Sequence, residues 1–318
     1  MQKRDNSHLV KTRWQYYRLH YFAIPRFYGA VIAIVDGVQH HGGLADRFRH
    51  ILSVYSYCKE HHLNFKLHYV YPCDLSLFLL PNEYDWRMNL SRLSYSVIDS
   101  HDVNIYLSGS VPSRQSNDWQ VSIMDKCLSN NQWKQFHVYG NSCFAEKDFD
   151  RLFHELFKPS PLLSSSINRI TASWEKDYDS VVLRFQSLLG DLDEGNHPVL
   201  RYQEREVLIN RCIERIIALY ESDYFSSKYI FVSSDSSSFI ERISHLPFVY
   251  VVKGKRDHMD FTRDKEVDIN VQIKPFEDLF LLKQSRRITL LQTGRMYNSG
   301  FPRFAASIGR VPFEYLQF

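Results

Sequence analysis

The chain has 318 residues, 44% hydrophobic and 24% charged, which excludes a disordered chain and leaves room for two domains of ordinary size. A formal charge of +3 is nearly neutral for that length and excludes the concentrated basic face of a nucleic-acid binder. Five cysteines without a Cys-x-x-Cys pair suggest neither a disulfide framework nor a zinc site. With no apolar run near about 18 residues and no apolar leader, a cytoplasmic chain is expected.

The first segment carries Lys3, Arg4, Lys11, Arg13, Arg18 and Arg26 among Trp14, Tyr16, Tyr17, Tyr21, Phe22 and Phe27. It fits either a partly exposed segment packed on the domain or a peripheral contact with an anionic membrane face. Residues 31–35 (Val-Ile-Ala-Ile-Val) then read as a buried parallel strand running into Asp36-Gly37. After His40-His41-Gly42-Gly43, the spacing of Phe48, Ile51, Leu52, Tyr55 and Cys58 predicts a helix over 46–60, and residues 65–71 return as a strand. This is one βαβ unit, whose crossover is right-handed. Residues 81–150 are less regular and are expected to form an inserted region over a cleft.

The stretch from Lys158 to Ser166 is rich in Pro and Ser and is expected to mark the boundary between an N-terminal domain, 1–165, and a C-terminal domain, 166–318. The second half alternates strands at 181–183, 229–232, 248–252 and 288–291 with helices at 204–220, 236–244, 276–284 and 299–308. That rhythm implies a parallel sheet covered on both faces. The expected architecture is α/β: two Rossmann-like domains with parallel sheets facing across a cleft. In such sheets ligands bind beyond the carboxyl ends of the strands, so the residues just after each strand are the candidates.

Four such places stand out. Gly42-Gly43-Leu44-Ala45-Asp46-Arg47 opens a helix, where paired glycines let backbone amides approach an anion. The same residues fit a plain turn with Asp46 near the cap. Arg184 follows a strand and can fork onto a phosphate, or pair with Asp191. The run 233–238 (Ser-Ser-Asp-Ser-Ser-Ser) can meet a ribose or phosphate, or cap a helix. Asp278 can accept hydrogen bonds from a nucleobase edge or sit solvated on its helix, and Ser299-Gly300-Phe301 opens a helix as a second anion cradle or an ordinary cap. Asp191-Leu192-Asp193 is a literal Asp-x-Asp, but it lies in an irregular loop and no third ligand is in view; no metal site is expected.

At these residues the chain resembles the GT-B fucosyltransferase superfamily of α1,2-, α1,6- and protein O-fucosyltransferases. The loop 42–47 resembles its Gly-Gly-Leu-Gly-Asn loop, Val182-Leu183-Arg184 its His-x-Arg strand end, and the stretch from Asp278 through Ser299 to Ala306 its last motif. The resemblance implies an inverting, metal-independent transfer of fucose from GDP-fucose to a glycan or lipid-linked glycan hydroxyl, in polysaccharide biosynthesis. It implies no cofactor beyond the GDP-sugar donor. It places Arg184 on the diphosphate, Ser299, Gly300 and Phe301 on phosphate, and Asp278 on guanine. Gly42, Gly43, Asp235 and Ser236 complete the expected donor contacts, and Asp46 is the expected general base ahead of Asp191, Asp193 and Glu194. Two departures weigh against a full match: Val182 replaces the motif's His, and Asp46 replaces the loop Asn. Two alternatives remain open, a transferase using another nucleotide sugar and a non-catalytic glycan- or nucleotide-binding relative.

Overall fold

The structure, a computed structural model, describes residues 10–12, 14–16, 25–106, 113–128, 134–141, 148–192, 198–254 and 268–318. Most of the basic N-terminal segment, with Asp193, Glu194 and Cys143, lies outside them. The chain divides into two compact units, Met1–Lys158 and Pro159–Phe318.

In the first unit, β1 (Ala30–Val35) is buried along its whole length, as its β-branched run requires. Helix α1 (Leu44–Glu60) crosses to β2 (Phe65–Tyr69), which pairs parallel to β1. After the short β3 (Leu79–Pro81) come β4 (Ser100–Asn104), α2 (Ser113–Leu128), β5 (Gln135–Tyr139), α3 (Phe149–Leu156) and β6 (Phe157–Pro159). The sheet order is β2-β1-β5-β4, all parallel, and β3 pairs with β6 separately. Residues 81–150 are therefore not an insertion, since β5 lies directly beside β1. The sequence hides this because Gln135 and His137 are polar yet buried. Tyr16 Oη donates to His137 Nδ1 at 2.6 Å, and Gln135 Nε2 donates to the Arg92 carbonyl at 2.5 Å. Phe48, Phe153 and Phe157 meet edge-on or tilted at 5.2–5.4 Å between centroids, locking α1 against α3 and β6.

The second unit opens with a helix, not a linker: α4 (Pro161–Thr171) begins at the Pro/Ser stretch. Ser160 caps it by accepting the Leu163 amide at 3.2 Å, Pro161 occupies the first turn, and Leu163 and Ile167 are buried. A serine before a proline is thus a helix start here. The parallel sheet is built from β7 (Tyr178–Leu183), β8 (Tyr229–Ser234), β9 (Val249–Tyr250), β10 (Ile288–Gln292) and β11 (Phe313–Gln317) in the order β11-β10-β7-β8-β9. Helices α5 (Tyr202–Glu221), α6 (Ser237–Ile243), α7 (Ile269–Gln272), α8 (Lys274–Leu282) and α9 (Gly300–Gly309) connect the strands. One core joins Val181, Leu183 and Phe185 to Ile216, Phe239, Leu291 and Met296. Each such side chain stabilises the fold by roughly 1.5–3 kcal/mol on burial. No helix among the described residues is long and apolar enough to cross a membrane.

Burial pushes the imidazoles of His50 and His137 down to about 3, so both are neutral in the folded chain. In the unfolded chain they bind protons below about pH 6.5. Their contribution to stability is therefore complete above that pH and is lost as pH falls toward 3. Urea midpoints measured from pH 7 to pH 4 should fall, and His137→Gln should make that fall shallower; an unchanged slope would locate the loss elsewhere.

Candidate functional site

In the second sheet the strand order reverses between β7 and β10. The chain winds outward one way through β8 and β9 and the other way through β10 and β11. The loops leaving β7 and β10 therefore diverge and leave a crevice at their carboxyl ends, the place where open parallel sheets take ligands. Arg184 is the first residue after β7. Its carbonyl accepts the Tyr297 amide at 2.9 Å, which fastens the β10–α9 loop to it.

The Arg184 side chain is 23% exposed, and its Nη1 lies 2.9 Å from Asp235 Oδ2. The sequence offered Asp191 as its partner; the structure supplies Asp235, just beyond the end of β8. Asp235 also accepts the amides of Phe185 at 2.9 Å and Gln186 at 2.7 Å. Gln186 has a φ of 55°, a left-handed conformation that costs a non-glycine residue on the order of 1 kcal/mol. The carboxylate thus holds both a strained turn and the Arg184 guanidinium.

Asp191 is occupied differently. Ser236 and Ser238 both direct their hydroxyls to its Oδ2, the latter at 2.7 Å, and the Ser238 amide adds a bond of 3.1 Å. Ser236 also caps α6 by accepting the Phe239 amide at 3.1 Å. Of the expected donor contacts, Asp235 and Ser236 are therefore engaged in holding loops. Among the described residues no group of three His, Cys, Asp or Glu side chains is arranged to hold a metal ion.

Asp278 lies on α8, is 5% exposed, and accepts the Ser233 hydroxyl at 3.0 Å from the end of β8. Ser299 caps α9 by accepting the Phe301 amide at 3.2 Å. Because Pro302 has no N–H, Ser299 and Gly300 are left as the amide donors at the mouth of this helix. Arg184 and Asp235 thus meet at the carboxyl ends of β7 and β8, Ser233 ties Asp278 to the same end of β8, and Tyr297 ties the loop that precedes Ser299 to Arg184.

In the first unit, Gly43 is the N-cap of α1 without a side-chain cap. Gly42 has a φ of +71°, and a Cβ there would lie 2.8 Å from Asp46 Oδ2, so the Asp46 carboxylate folds back over this glycine in the first turn. Negative charge is favourable at that end of a helix. Arg47 is wholly buried: its Nε donates to the Gly42 carbonyl at 3.1 Å, and its Nη1 donates to Tyr69 Oη at 3.1 Å and to the Tyr71 carbonyl at 2.6 Å. It fixes the loop from within.

In the first sheet β1 lies between β2 and β5. Asp36 follows β1 there, and sequence reasoning passed over it as half of an Asp-Gly turn. Its side chain is 6% exposed; Oδ1 accepts the Val38 amide at 2.9 Å, while buried Oδ2 has no hydrogen-bond partner. His50 Nε2 lies 3.3 Å from the Val138 carbonyl and must donate to it, which leaves the buried Nδ1 as an unsatisfied acceptor. The strand-end rule alone pointed to Asp36.

No family model matches the chain and no curated protein matches it. Among solved structures it is similar to the NodZ alpha-1,6-fucosyltransferase soaked with GDP-fucose, at 13% identity over 88% of this chain and 92% of that one, with a TM-score of 0.53. The fucosyltransferase NodZ from Bradyrhizobium gives 12% identity, 87% and 92% coverage and a TM-score of 0.54. POFUT1 in complex with GDP gives 10%, 91%, 99% and 0.50. At such identities the likeness is one of fold, and the chain has the mixed α/β, GT-B-like fold of these fucosyltransferases.

Proposed function

We propose that the chain is an inverting, metal-independent glycosyltransferase that moves fucose from GDP-fucose to a hydroxyl of a glycan or lipid-linked glycan. In this reading the C-terminal unit holds the donor and the N-terminal unit serves the acceptor. A place in polysaccharide synthesis in the cytoplasm belongs to the same proposal, supported by free cysteines at 58, 73, 127 and 212. Fold alone does not name a reaction. The observation that carries this one is Arg184, fixed at the β7–β10 switch point by Asp235 and bonded through its carbonyl to the loop that leads into α9.

The chemistry follows from charge. As the bond between the anomeric carbon and the diphosphate breaks, its electron pair goes to the leaving phosphate. A guanidinium already oriented by a buried carboxylate stabilises that charge with little reorganisation. The amides of Ser299 and Gly300 add neutral donors on the same side. Asp278, held by Ser233, offers a carboxylate that the N–H groups of a guanine edge can reach. A non-catalytic, nucleotide-binding relative is the second reading, favoured by buried Val182 where a family histidine is expected.

Arg184→Lys should lower turnover by about a hundredfold, or about 3 kcal/mol, while leaving the GDP affinity within a few fold. Melting temperature is to be read on the same sample. A destabilised but fully active variant would make the Asp235 pair merely structural.

In a thermal-shift panel GDP should raise the melting temperature more than UDP, CMP or ADP. Asp278→Asn should weaken GDP by about 1.5–3 kcal/mol and erase its advantage over UDP. Equal shifts by UDP and GDP in the unaltered chain would point to another donor.

Transfer should persist in EDTA. Loss in EDTA with recovery on adding Mn²⁺ would bring Asp191 back as a ligand and require it to leave Ser236 and Ser238.

A further inference from the structure

The first 26 residues carry six basic side chains against one acid, Asp5, a net charge of +5. The whole chain carries +3, so the rest of it carries −2. Positive charge is therefore concentrated in one segment, and the described part of that segment has two unlike sides. Residues 10–12 and 14–16 are helical. At about 100° per residue, Thr12 and Tyr16 share one side and Val10 and Trp14 the other. The first pair is buried: Thr12 Oγ1 accepts from Gln39 Nε2 at 3.0 Å, and the Tyr16 ring meets that of Tyr95 at 5.4 Å. Trp14 is 64% exposed and Val10 53%, and Lys11 is exposed as well.

The residues that lead into β1 continue this flank. Phe27 has a φ of 48°, an outlier for a bulky aromatic residue. Asp99 holds it there: Oδ2 accepts the amides of Arg26 and Phe27, the latter at 2.9 Å, while Oδ1 accepts the Ser94 hydroxyl at 2.6 Å. The ring gains little burial in return, being 65% exposed. Strain kept without a gain in packing points to function. The same carboxylate sets Phe27 beside its own chain neighbours Val97 and Ile98, which are 47% and 53% exposed. Arg26 and Arg92 are exposed around them, and Gln135 ties Arg92 to this place by donating to the Asp99 and Arg92 carbonyls. Asp99 itself is buried. Phe27 precedes β1 and Ile98 precedes β4, so this patch lies at the amino end of the sheet, away from the end where such sheets take ligands.

Single exposed apolar side chains are ordinary, but a group of them rimmed by arginines marks an interaction surface. A lipid surface matches it: rings and aliphatic groups enter the headgroup boundary, and guanidinium groups meet lipid phosphate. A second copy of the chain matches it poorly, because it would set the same positive segment against itself. We propose that this flank of the N-terminal unit docks on an anionic lipid surface through Trp14, Phe27, Val97 and Ile98, with Lys11, Arg26 and Arg92 on the lipid phosphates. The proposal stands apart from the transferase reading and needs no nucleotide.

The full chain is sedimented with vesicles of phosphatidylcholine alone and with vesicles in which a third of that lipid is replaced by phosphatidylglycerol. The anionic vesicles should bind it at least about tenfold more tightly, and high salt should remove most of the difference. Arg26→Gln should weaken this binding about fivefold, and Trp14→Ser and the double variant Phe27→Asn/Ile98→Ser about tenfold each. Asparagine accepts the positive φ at 27, and these side chains are exposed, so melting temperatures should hold. Lys228→Gln, an exposed lysine of the other unit, should change nothing. Brominated lipid in the anionic vesicles should quench tryptophan emission in the unaltered chain and much less in Trp14→Ser. Equal binding to both kinds of vesicle overturns the proposal. So does binding that falls with Arg26→Gln but not with the apolar variants, which is adsorption by charge alone. Self-association without vesicles, abolished by Phe27→Asn/Ile98→Ser, would make a second copy the occupant and overturn it as well.

Discussion

The Asp235 carboxylate is the constraint on which the C-terminal site depends. It stands at the end of β8, accepts two consecutive amides from the turn after β7, and pairs with Arg184. A buried pair of this kind is weak evidence of stability, because desolvation offsets much of its attraction. Its value lies in geometry. The two amides fix the path of the chain after Leu183, and the same carboxylate pairs with the guanidinium. The Tyr297 amide, bonded to the Arg184 carbonyl, passes that placement on to the loop that feeds α9. Strand ends, turn and helix mouth are registered to one another through a single side chain.

Much of the fold was legible in the chain. The strands β1, β7, β8 and β10 are apolar runs buried on both faces, and α1 and α5 show the helical stripe. What escaped were elements whose burial is polar or whose punctuation misleads. β5 reads as irregular because His137 and Gln135 occupy its core face, and only their partners Tyr16 and Arg92, distant in sequence, make that burial tolerable. α4 was masked by Ser and Pro, although Leu163, Ser166 and Ile167 form its buried side. At the site, the strand-end rule found the position of Arg184 but not its partner. Which acid faces an arginine depends on sheet order, and sheet order is not written in any local pattern. The same ignorance hid the burial of Asp36, which follows β1 in the sheet where β5 is its neighbour.

In the C-terminal unit Asp235, Asp278 and Asp191 accept hydrogen bonds from amides or hydroxyls, and Asp235 also pairs with Arg184. In the N-terminal unit Asp36 and His50 each keep a buried acceptor unsatisfied.

The segment from Arg184 to Asp191 is clasped at both ends to the turn that joins β8 to α6: Arg184 to Asp235 at one end, Asp191 to Ser236 and Ser238 at the other. Gln186 and Gly190 bend it through positive φ in between. Surface loops ordinarily absorb extra residues at little cost, because closure entropy rises slowly with length. This one cannot, since a residue added between the clasps would have to break one of them or unbend the turn. Variation in chain length should therefore collect outside the clasps, and the span from 184 to 191 should behave in length as a strand does.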